Sequence, residues 1–149
     1  MNTTKRKFWL EVLSLSKPET VYSLWEKSTL NLPLYEYLRK PETGLYMVRG
    51  KTDPDKQIFN LGEVIVSRCA VKTKDNFKGI SYIKGSDIKY CEFCAVLDGA
   101  MQNEKNFTDI YEKIIEPAFL ILEQEKKKNF EKINKTKVEF FTMGKSDGL

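Results

Sequence analysis

The chain has 149 residues, 41% of them hydrophobic, and carries 25 Lys and Arg against 21 Asp and Glu, a formal net charge of +4. That length supports one domain with its own core, and so mild a positive balance permits anionic ligands without demanding them. Histidine is absent and cysteine occurs three times, which removes the usual general base near neutral pH, the commonest metal ligand and a paired disulfide framework. Apolar runs such as Ala118 to Leu122 fall far short of the roughly 18 to 20 residues of a membrane span. The basic and then apolar N-terminus is interrupted by Glu11 and followed by no small-residue cleavage site. A cytoplasmic chain with reduced thiols is expected.

In chain order, Phe8, Trp9, Val12, Leu13 and Leu15 recur at helical spacing, which predicts an amphipathic helix over Arg6 to Leu15. Ser16-Lys17-Pro18-Glu19 reads as a capping box opening a second helix with Val21, Tyr22, Leu24 and Trp25 as its stripe, so the two form a helical hairpin. From Leu34 to Ile83 the pattern turns to short Val, Ile, Tyr and Phe runs between Gly, Pro, Asp and Asn. It predicts four or five antiparallel strands: Leu34 to Arg39, Gly44 to Gly50, Gln57 to Leu61, Glu63 to Val71 and Gly79 to Ile83.

Gly85, Ser86 and Asp87 end the sheet and start a helix to about Met101 whose apolar residues cover nearly the whole circumference, so it is expected to be buried on most sides. A last helix starts near Thr108, carries Ile114, Ile115, Ala118, Phe119 and Leu122 as a stripe, and meets Pro117, where a kink is expected. Beyond Leu122 only Phe130 and Ile133 remain as apolar anchors, and Val138 to Met143 reads as a terminal strand. The fold expected is α+β in a single domain spanning 1–149, with 123–149 as a partner-binding arm.

Cys91-Glu92-Phe93-Cys94 is formally a C-x-x-C, but with only Cys69 besides and no His it lacks the ligands of a structural zinc site. Its place inside an apolar helix is also unlike a redox pair at a helix start. Gly144-Lys145-Ser146 lacks the upstream glycine of a phosphate-binding loop, since Glu139 stands there. The lysines between Lys126 and Lys137 are interleaved with Glu125, Glu131 and other acids, the pattern of a solvated face, and no nucleic-acid role is expected. Arg68 shares a strand face with Val64, Val66 and Ala70. It suits an anionic substrate or pairing with Glu92 or Asp98, the carboxylates of the apolar helix. Asp87, at that helix start, occupies the place a bound phosphate would take.

Taken in order, GLYMVRG, FNLGEVIVSRCAV, KGISYIKGSDIKYCEFCAVLDGAMQ, IIEP and TKVEFFTM resemble the PhnG family of the bacterial carbon-phosphorus lyase system. The resemblance is carried by Glu42 to Leu45; Gly62, Glu63, Arg68, Ala70 and Val71; Gly79, Tyr82, Gly85 and Asp87; and Glu92, Ala95, Asp98, Met101 and Gln102. Pro117 and Val138 to Met143 complete it. It implies a subunit acting with PhnH, PhnI and PhnL when a phosphonate displaces adenine from ATP, in a core that also carries PhnJ. Catalysis would lie on PhnI, ATP and an alkylphosphonate would be substrates of the complex, and no cofactor would be bound by this chain. The alternative is a scaffold module unrelated to phosphonates.

Overall fold

A computed structural model describes residues 3–52 and 56–135. Helix α1 (Thr3–Leu15) buries Trp9, Val12 and Leu13, and α2 (Pro18–Ser28) follows as the second arm of the expected hairpin. The capping box is not made. Lys17 is the N-cap and its side chain makes no cap bond, while Ser16 Oγ donates back to the Val12 carbonyl at 2.7 Å. Pro18 still serves at the helix start, where no amide donor is needed.

Among the described residues three strands form the sheet, in the antiparallel order β1-β2-β3, rather than the four or five predicted. β1 (Tyr35–Lys51) runs through Lys40-Pro41-Glu42-Thr43, and β2 (Ile58–Thr73) runs through Gly62, so each contains two of the predicted strands. The punctuating residues sit in irregularities instead of turns. Between the pairs Arg39↔Ala70 and Glu42↔Arg68, β1 advances three residues against two. This bulge houses Pro41 on an edge strand, where a missing amide proton costs no ladder bond. Another shift lies between Tyr37↔Val71 and Arg39↔Ala70, and a third, between Val48↔Gly62 and Arg49↔Asn60, absorbs Leu61. The terminal strand expected over Val138 to Met143 lies outside the described residues.

A tight turn leads from β2 to β3 (Lys78–Lys84), with Asn76 at φ 67° and the Thr73 amide donating to the Phe77 carbonyl at 2.9 Å. Gly85, at φ 104°, ends β3 in a conformation that side chains disfavour. Helix α3 (Ile88–Met101) is capped by Asp87, whose carboxylate accepts from the Tyr90 amide at 2.9 Å. Eleven of its fourteen residues are buried, as its all-round apolar surface predicted.

α3 packs between the sheet and the remaining helices. On the sheet side, strand alternation presents Ser67, Cys69, Val71 and Thr73 of β2, with Gly79, Ser81 and Ile83 of β3. On the far side, Tyr22 lies against Tyr90 and Phe93, Trp25 against Phe93, and Tyr90 OH donates to the Leu13 carbonyl at 2.7 Å.

Asn103 caps α4 (Glu104–Ile110), four residues before the start predicted near Thr108. A π-helical turn (Tyr111–Ile115) follows, and then α5 (Glu116–Lys135). Pro117 is the second residue of α5. The wider turn before it, with the Glu116 amide bonded to the Tyr111 carbonyl, accommodates a residue that cannot donate. Ile114, Ile115 and Ala118 close the core, while Leu120, Phe130 and Ile133 farther along are exposed. α5 is thus the expected extended arm. No helix among the described residues is long and apolar enough to cross a membrane.

Candidate functional site

The three charged residues singled out by the sequence receive three different partners. Asp98 is fully buried on α3, and its partner cation is Arg6 of α1. Arg6 Nε donates to Oδ1 at 3.0 Å and Arg6 Nη2 to Oδ2 at 2.6 Å. Trp9 Nε1 donates to Oδ1 at 2.9 Å and the Ile80 amide to Oδ2 at 2.9 Å. One carboxylate therefore ties α1, α3 and β3 together, with four donors compensating its desolvation.

Glu92, also on α3, accepts at Oε1 from Tyr35 OH at 2.6 Å and from Tyr37 OH. The hydrogen bond to Glu92 is the first cause holding both phenols above their ordinary range, with burial second. The carboxylate fastens edge strand β1 to the central helix. Neither tyrosine was singled out by the sequence, although their spacing of two puts both on the same strand face, toward α3.

Arg68 lies elsewhere. Its Nε donates to Glu42 Oε1 at 2.8 Å across the β1–β2 ladder. Alternation does place it with Val64, Val66 and Ala70, but these are only half-buried and no helix among the described residues covers them, because α3 occupies the opposite face. Arg68 is 38% exposed, in the middle of an open sheet face beside Tyr82 of β3, itself 55% exposed. Gly44 lies under the guanidinium, and a methyl group there would sit 3.8 Å from Arg68 Cζ.

Cys69, Cys91 and Cys94 are all buried thiols. Burial is the first cause raising each: Cys69 is pushed up to about 12, and Cys91 and Cys94 also rise. Cys91 Sγ lies 2.8 Å from Ser81 Oγ. Neutral thiols in this setting pack as small apolar groups. Among the described residues, no three His, Cys, Asp or Glu are grouped to hold a metal.

The β1–β2 hairpin extends past the rest of the sheet. β3 ends opposite Val66, so, among the described residues, 45–51 and 58–65 form a two-stranded ribbon. Successive residues of a strand point to opposite faces, yet Leu45, Tyr46, Met47 and Val48 are all apolar and all exposed, as are Ile58, Phe59, Leu61 and Ile65 on β2. Both faces of the ribbon are apolar, and the otherwise charged outer part of α5 exposes Phe130 and Ile133.

A chain with one well-packed core, buried inert thiols and long apolar projections is built to be covered by other surfaces. Residues 4–145 match the family described as Phosphonate metabolism protein PhnG. Over 106 residues the chain is 35% identical to the alpha-D-ribose 1-methylphosphonate 5-triphosphate synthase subunit PhnG of Rhizobium meliloti strain 1021, an alignment covering 71% of this chain and 67% of that protein. The match over nearly the whole length sets aside the alternative of a scaffold unrelated to phosphonates, and the chain belongs to the PhnG family of phosphonate metabolism proteins.

Proposed function

We propose that the chain is a non-catalytic subunit of an alpha-D-ribose 1-methylphosphonate 5-triphosphate synthase. It supports an assembly in which a phosphonate displaces adenine from ATP, with the chemistry carried by a PhnI-type partner. The observation that carries this reading is the contrast between interior and exterior: every nucleophilic thiol is buried and protonated, while the ribbon and outer α5 expose apolar side chains. PhnI, PhnH, PhnJ and PhnL are the partners proposed, and a cytoplasmic location accompanies them.

The test is genetic and biochemical. A strain lacking only this chain is expected not to grow with methylphosphonate as sole phosphorus source, and co-expression with the four subunits from the same genome is expected to yield a stable complex. Normal growth of the deletion strain would sink the assignment. Arg68 is the residue proposed to meet an anionic substrate group in the assembly, since its guanidinium remains accessible while Glu42 orients it. Arg68→Lys keeps the charge but not the planar fork. It is expected to leave assembly intact and lower adenine release from ATP.

A further inference from the structure

The open sheet face has an apolar centre and a cationic border. Tyr46 and Val64 are cross-strand partners, Val66 follows on β2, and Tyr82 and Ile80 continue the patch on β3 beside Arg68 and Ala70. The same alternation places Lys72, Lys78 and Lys84 on this face. Glu42 answers Arg68 and Glu36 answers Lys72. Lys78 and Lys84, at the two ends of β3, have no carboxylate partner among the described residues.

We infer that this face is the docking surface for a partner protein whose matching surface is apolar at its centre and acidic where it meets Lys78 and Lys84. The inference rests on the subunit reading above and adds where and by what chemistry the subunit is held. Exposed tyrosines such as Tyr46 and Tyr82 are among the side chains that most often anchor protein interfaces. Two unanswered lysines along one border call for carboxylates opposite them. A phosphate backbone fits less well, because the cations form no continuous track and Glu36 and Glu42 share the face. A second copy of this chain would bring up the same excess of cations.

The test uses the full chain and the purified remainder of its complex. Lys78→Glu with Lys84→Glu, and separately Tyr82→Ala, are expected to weaken binding about tenfold or more, with far-UV circular dichroism and thermal midpoint unchanged. In the lysine variant the salt dependence of binding should shrink as well. A photo-crosslinking amino acid at position 82 is expected to capture a peptide of the partner bearing Asp or Glu.

Folded variants that bind as tightly as the parent chain would overturn the docking surface and leave the subunit reading standing. A parent chain that binds none of the subunits would overturn both. A homodimer that dissociates on Tyr82→Glu, or lysine-dependent binding of a labelled oligouridine, would assign the face to a different occupant and overturn the inference.

Discussion

Asp98 shows how much one buried side chain can decide. Its four donors come from Arg6, Trp9 and the Ile80 amide, and removing the cation leaves a carboxylate that cannot return to water. Arg6→Ala is expected to cost about 3–5 kcal/mol, measured as a fall in the urea midpoint at constant slope. The need for a partner was legible in the sequence, because a carboxylate on an all-apolar helix must be compensated. The partner's identity was not, since Arg6 lies 92 positions away and belongs to a helix whose own pattern announces only its apolar face.

The tyrosines set the alkaline limit. Tyr22 and Tyr90 are raised first by burial, and Tyr35 and Tyr37 first by their bonds to Glu92. Above the ordinary tyrosine value of 10 the unfolded chain releases phenolic protons that the folded chain keeps. This contribution to stability is therefore complete below pH 10 and is lost as pH rises through the raised folded values. Thermal midpoints should fall across that interval, and less steeply in a Tyr35→Phe, Tyr37→Phe variant. The cysteines follow the same logic: with thiols held far from ionisation, native protein should react with iodoacetamide much more slowly at pH 8 than urea-unfolded protein, read by intact mass.

Among the elements, the central helix was the most legible, because an apolar circumference has only one stable location and Gly85 and Asp87 mark its start. The strands were counted too finely. Lys40-Pro41-Glu42-Thr43 reads as a turn and Gly62 as a break between strands, yet a long edge strand tolerates proline at a bulge, and only tertiary pairing distinguishes a bulge from a turn. Helix and sheet meet most closely at Gly79, where a methyl group would lie 1.9 Å from the Ala95 carbonyl oxygen and 2.6 Å from the Gly99 amide nitrogen. Gly79→Ala is expected to destabilise by about 2–3 kcal/mol, checked by chemical denaturation. Among the described residues, the ribbon of residues 45–51 and 58–65 has no third strand beside it. Its amides should exchange with deuterium well before those of α3 in the isolated chain, and become protected in the assembled complex.

For the molecule as a whole, the exposed apolar area is divided among the ribbon, the open sheet face and the outer part of α5, so the chain alone is incompletely sheltered. Its melting temperature is expected to rise with the concentration of its partner complex, as any ligand of the folded state requires. The extended C-terminal helical arm could be foreseen from the thinning of apolar residues after Leu122. The openness of the face bearing Arg68 could not, because alternation along a strand names two faces without saying which one a helix will cover.

The Asp98 junction also sets an order of events during synthesis. α1 is translated before its partners: the carboxylate that receives Arg6 and Trp9, and the β3 amide that shares it, are made some 70 to 90 residues later. Until then the face carrying Trp9, Val12 and Leu13 has nowhere to dock. Helix α1 is thus made early and secured late, and its apolar face stays uncovered while the sheet and α3 are still being made.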